Sequence, residues 1–136
     1  MTDEEATALL VAAVNEARNI DKAISAAVVD TSGYLVGLRR MNGAGFLTPQ
    51  IAEAKAFSVA AWKVSTLDIA ERARARPETF SAFVHIGRTK LVPGHGGHPI
   101  EKAGQVIGAL GISGGTGEED EVICLAAINA RASRSK

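Results

Sequence analysis

The sequence predicts an α+β domain, a central antiparallel sheet with helices packed against it. Two observations carry this. The chain begins and ends in stretches with helical periodicity, and its strand-like runs come in two pairs, each joined by turn residues and separated from the other by helical sequence. Strands that arrive as hairpins pair antiparallel, whereas strands alternating singly with helices would build a parallel sheet.

The elements follow in order. Thr2 with Glu5 forms a capping box, and Ala6, Leu9, Leu10, Ala13, Val14 and Ala17 then recur at helical spacing, so the first helix runs to about Arg18. Ala23 to Val29 reads as a strand, Asp30-Thr31-Ser32-Gly33 as a turn, and Tyr34 to Arg40 as its hairpin partner. Gly43-Ala44-Gly45 loosens the chain before Thr48-Pro49, expected as a cap followed by proline at the first helical position, with a helix to roughly Lys63. Ser65 or Thr66 caps a further short helix through Arg74. Pro77 and the Phe80 to Phe83 segment suggest irregular or short-helical crossover structure.

A second hairpin is expected to end in the Gln105 to Ser113 strand, with Lys102-Ala103-Gly104 at its tip. The last helix starts near Thr116-Gly117. It carries Glu118, Glu119, Asp120 and Glu121 in its first turn and ends with Arg131 and Arg134, matching the helix dipole at both ends.

At 136 residues, one domain spanning 1–136 is expected, with one site. The 15 Lys+Arg balance the 15 Asp+Glu without a run of like charge, which gives no reason to expect nucleic acid or an anionic membrane as partner. The single cysteine, Cys124, cannot form an internal disulfide, and between Ile123 and Leu125 it reads as core filler. The acidic start is unlike a signal peptide, and no apolar stretch approaches the roughly 18 residues needed to cross a bilayer, so the cytoplasm is the expected compartment.

Nine of the 14 glycines lie between Gly94 and Gly117, seven of them in two clusters, Gly94-His95-Gly96-Gly97 and Gly111 to Gly117. Such loops can form anion-holding nests of backbone N–H groups, and the second cluster opens onto a helix N-terminus. Tight turns and close sheet–helix packing explain the same residues. Neither a P-loop nor a dinucleotide fingerprint fits, since no Gly-Lys-Ser/Thr follows and no βαβ unit is present. Gly111-Ile112-Ser113-Gly114-Gly115 matches a nucleophile-elbow spacing, but loop glycines rather than a helix follow the serine.

Lys55 is unexpected, because Ile51, Ala52, Ala56, Val59 and Ala60 surround it on an apolar stripe. It either snorkels outward, pairs with a buried carboxylate for which Asp120 and Glu101 are the candidates, or serves imine or acid–base chemistry with a lowered pKa. One of Arg39 and Arg40 must face the side of the sheet opposite its neighbour, which allows one guanidinium to hold a carboxylate. His95 and His98 lack a third ligand, so no metal site is expected. One imidazole suffices for a haem ligand or a general acid/base. The six aromatic residues all lie at or before Phe83, leaving the glycine-rich half with aliphatic side chains for a porphyrin face.

Six ordered segments carry a resemblance to a known family: Val28-Val29-Asp30-x-x-Gly33, Arg40-Met41-x-x-Ala44, Ile51-Ala52-x-x-Lys55-Ala56, Pro93-Gly94-x-Gly96-Gly97-x-Pro99-Ile100, Val106 to Gly115, and Glu119-Asp120-Glu121. Together they resemble the GlcG/HbpS, or haem-degrading domain, family over nearly the whole chain. The resemblance implies a profilin-like fold, a homo-oligomer and a small-molecule ligand, with haem or a related tetrapyrrole foremost. Where the family's loop often has aspartate, this chain has Asn42. The expected ligand-binding set is Arg40, Met41, Lys55, Gly94, His95, Gly96, Gly97, His98, Gly114 and Gly115. The alternative is an enzyme acting on a small oxo-, hydroxy- or amino-carboxylate by isomerisation, hydrolysis or deamination. In it Arg40 holds the carboxylate, and Lys55, Asp120 and His95 are the catalytic groups. A third expectation is an oligomeric accessory protein without a working pocket.

Overall fold

The computed structural model describes residues 1–134. The elements are α1 (Asp3–Asn19), β1 (Ser25–Asp30), β2 (Leu35–Arg40), α2 (Thr48–Trp62), α3 (Thr66–Ala75), α4 (Pro77–Phe83), β3 (Gly97–Lys102), β4 (Gln105–Ser113) and α5 (Gly117–Arg134). The side chain of Arg134, expected to complement the dipole of the last helix, lies outside the described part.

The four strands form one antiparallel sheet in the order β2-β1-β4-β3, so the two hairpins lie side by side and join through β1 and β4. Asp30 shapes the first turn by accepting the Ser32 and Tyr34 N–H groups on Oδ1. At the second turn Ala103 and Gly104 both take positive φ, the twist that a two-residue hairpin requires.

Helices cover both faces. Ala26, Val28, Leu110 and Ile112 point to one side, where Leu9, Leu10, Ala13 and Ala17 of α1 and Ile123, Cys124 and Ala127 of α5 enclose the larger core. On the other side Val29 and Ala109 meet Ala56, Val59 and Ala60 of α2 in a smaller cluster. Burial pushes the Cys124 thiol far above its ordinary pKa, which fits an inert core residue.

One local expectation changes and two alternatives left open by the sequence are decided. Leu47, not Thr48, occupies the α2 N-cap and makes no side-chain cap bond, while Thr48 is already helical and its hydroxyl donates to the Gly45 carbonyl at 2.7 Å. The segment after Pro77 forms a definite helix, α4, none of whose residues is buried. Ser65 is the α3 cap, its hydroxyl accepting the Asp68 N–H.

Candidate functional site

The glycines first explain how α2 approaches the sheet. A methyl group on Gly111 would stand 2.1 Å from the Ala52 carbonyl oxygen and 2.8 Å from the Ala56 nitrogen, both α2 backbone. One on Gly97, which pairs with Gly111, would stand 2.6 Å from Thr66 Cγ2 and 3.3 Å from the Lys55 carbonyl. The absence of side chains on β3 and β4 therefore lets α2 lie nearly on the sheet backbone.

That close approach carries the Lys55 side chain into the sheet's end. Its Nζ donates to the Ile112 carbonyl at 2.6 Å and to Asp120 Oδ2 at 3.2 Å. The two residues are 9% and 3% exposed, so the lysine is paired rather than snorkelled, and its partner is Asp120 and not the exposed Glu101. Burial raises the Asp120 carboxyl above its ordinary pKa, against the opposing Lys55 charge and the Gly115 N–H bonded to Oδ1 at 2.9 Å. A buried pair of this kind chiefly fixes geometry, since desolvation offsets most of its Coulombic gain.

The two glycine loops are brought together here, but their amides differ from the expected open nests. The Gly96 N–H donates to Glu121 Oε1 at 2.8 Å, the Gly97 N–H to Thr66 Oγ1 at 3.0 Å, and the Gly94 N–H to the Thr66 carbonyl at 3.0 Å. At the start of α5 the Thr116 N–H donates to Glu119 Oε1 at 2.8 Å. Internal carboxylates and a threonine thus take the places an anionic ligand would fill. Glu121 and Thr66 were absent from the expected site. The signal for Glu121 was its position beside Asp120 in the first turn of α5; Thr66, directly after the cap Ser65, gave none.

The two histidines have opposite environments. His98 Nε2 lies 2.5 Å from Glu121 Oε2, and both side chains are largely covered. Neither ring nitrogen of His95 hydrogen-bonds to another described residue, and its Nδ1 is, among the described residues, a buried side-chain atom with no partner. The His95 ring lies so close to Gly117 that a methyl there would stand 2.8 Å from Cδ2.

Arg40 and Met41 sit at the same end of the sheet but across it. Ser25 pairs with Arg40 on one side and Ser113 on the other, and the Ile112 N–H donates to the Gly96 carbonyl. Arg40 is therefore about three strand spacings, roughly 14 Å, from the Gly96 loop. The Ser25 hydroxyl bonds to Thr48 of α2 at 2.8 Å, and residues directly paired across strands share a face, so Arg40 emerges exposed on the α2 side. Met41 is half-buried, its Sδ 3.4 Å from the Ile24 N–H. Gly114 packs on the Ala23 carbonyl, where a methyl would stand at 2.7 Å. Among the described residues no group of three or more His, Cys, Asp or Glu gathers as a metal site.

The family model for haem degrading protein HbpS-like matches residues 1–129. The chain belongs to this HbpS-like family. Among curated relatives, the corrinoid adenosyltransferase PduO of Citrobacter freundii is 30% identical over 123 residues, 88% of this chain but 36% of PduO. The chain thus spans about a third of that relative's length. Protein GlcG of Escherichia coli K12 is 30% identical over 119 residues, 83% of this chain and 81% of GlcG. The crystal structure of a PduOC–haem complex superposes with a TM-score of 0.86 at 28% identity, covering 96% of this chain and 94% of the other. The family's α+β fold is therefore the fold of this chain, as the ordered motifs implied. Among the described residues no helix is long and apolar enough to cross a membrane.

Proposed function

We propose that this HbpS-like chain binds haem or a related tetrapyrrole, with His95 as the residue that meets the metal. The observation that carries the reading is the unengaged His95 imidazole, set beside a His98 whose nitrogen is already held by Glu121. An axial ligand needs a nitrogen lone pair that nothing else occupies. The haem complex of the structural relative supports the same ligand class. When bound, the iron would supply ligand binding or redox chemistry.

This chain's own residues hold and orient. Gly117 admits the His95 ring against α5, Glu121 and Thr66 fix the loop that carries it, the Lys55–Asp120 pair ties α2 to α5 beside that loop, and the exposed Arg40 guanidinium offers a propionate a partner. Lys55 and Asp120 act in this reading as positioning residues, because both Lys55 contacts lie inside the fold. Homo-oligomerisation belongs to the same reading. Phe46, Leu47 and Ile51 lie exposed around the start of α2, at 80%, 52% and 40%, an apolar patch that a second copy would cover.

Titration of the purified protein with haemin tests the proposal. A saturable Soret shift with one site per chain is expected, together with its loss in His95→Ala. Binding that never saturates, or that ignores the substitution, is adsorption and removes the reading.

A further inference from the structure

A second ligand-ready region lies away from the sheet's end, on the excursion between α2 and β3. A cavity of about 450 Å³ is walled by Trp62, Phe80 and Phe83, with Arg72 and Arg76 at its edge. Three of the chain's six aromatic residues gather here, and Trp62 meets Phe80 edge to face at 5.7 Å between ring centres. A neighbouring cavity of about 330 Å³ shares Trp62 and Phe83 and continues the apolar lining to Phe57, Ile86 and Leu91. Volumes of this size suit small organic ligands.

The charge is as telling as the shape. The whole chain is neutral, yet residues 62–90 hold six Lys and Arg (63, 72, 74, 76, 88, 90) against three Asp and Glu (68, 71, 78). Arg74 is paired with Glu71, while Arg88 stacks on Tyr34 and Phe57 and donates to the Ser32 carbonyl. Of the four that remain, Arg72 and Arg76 line the cavity and Lys63 and Lys90 do not; neither arginine has an ion pair or side-chain hydrogen bond among the described residues. Helix α4, which supplies one wall, buries none of its own residues.

We propose that this cavity is a binding site for an aromatic carboxylate, its ring between Trp62, Phe80 and Phe83 and its carboxylate on Arg72 and Arg76. Aromatic walls reward a flat apolar ring, and two unpaired guanidinium groups make the site prefer an anion over its uncharged counterpart. The site is independent of His95.

Trp62 is the chain's single tryptophan, so its fluorescence reports the cavity directly. The full chain is titrated with 4-phenylbutyrate and, separately, with uncharged 4-phenylbutanamide, using excitation at a wavelength where neither absorbs. The carboxylate should give a saturable change and bind at least about tenfold more tightly than the amide. The double variant Arg72→Gln/Arg76→Gln, on exposed side chains, should remove that preference while leaving amide binding unchanged. No saturable change, equal binding of the two probes, or a preference that survives the double variant overturns the proposal. So does sedimentation showing self-association that shields Trp62 from acrylamide, which assigns the face to a second copy.

Discussion

The sheet's glycine-rich end and the α3–α4 excursion differ in how far their polar groups are already satisfied. At the sheet's end, Lys55, Asp120, Glu119, Glu121, Thr66 and five loop amides are bonded internally, leaving the His95 ring unengaged among the described residues. On the excursion, aromatic rings stand half-covered and two arginines have no ion pair among the described residues. Dense glycine therefore marks close packing here more than an open cradle. Capacity for a ligand is better judged from which groups lack partners.

The largest expected effect comes from breaking the satisfied region. Asp120→Ala strands the Lys55 ammonium in a dry site and should cost about 3–5 kcal/mol in urea denaturation. The double variant Lys55→Met/Asp120→Leu should recover most of that loss, because no charge is then left buried alone. Gly111→Ala should cost about 3 kcal/mol, since its methyl meets α2 backbone that cannot yield separately. Gly45→Ala is the control: its methyl would sit an ordinary 3.6 Å from Thr48 Cγ2, and its stability should change by less than about 1 kcal/mol.

Acid titration sharpens the comparison further. The Asp120 carboxyl is raised by burial, so the folded state holds its proton more tightly than the unfolded chain does. Its contribution to stability is present below the unfolded carboxylate value and is lost as pH rises through the folded pKa. Glu5 runs the other way. Burial works to raise it, but the Arg131 and Thr2 hydrogen bonds and the Lys102 charge together lower it. Its contribution is present above the unfolded value and fades as pH falls through the folded one. Carboxyl carbon shifts followed by NMR should place the Asp120 midpoint above the ordinary aspartate value and the Glu5 midpoint below the ordinary glutamate value. The smallest effect is expected on the excursion, where Arg72→Gln/Arg76→Gln should change thermal stability by no more than about 0.5 kcal/mol.

Much of the fold was legible because it rests on local signals. The Thr2–Glu5 box, the Asp30 turn, the Ala103-Gly104 hairpin and the acidic start of α5 each occupy their expected places. The Thr48 cap was not, because the Gly43–Gly45 loop delivers the chain already helical at Leu47 and Thr48. At the site, the anomaly of Lys55 on an apolar stripe was visible in the sequence. Its partner was narrowed to Asp120 or Glu101 but not chosen between them, since Asp120 lies 65 residues away and reaches it only after β4 and α5 fold back. The Glu121 bridge between Gly96 and His98 is likewise a tertiary contact without a local pattern. The pairing of aromatic residues with unpaired arginines on α3 and α4 depends on how a weakly buried helix packs, which periodicity over seven residues does not define.

The contrast between the two histidines tests the central claim most directly. Haemin spectra of His95→Ala and His98→Ala, each with and without added imidazole, separate the free ring from the satisfied one. Loss of the Soret shift in His95→Ala, its return with imidazole, and its retention in His98→Ala are the expected results. Retention in His95→Ala with loss in His98→Ala would contradict the assignment and make the Glu121-bound histidine the ligand.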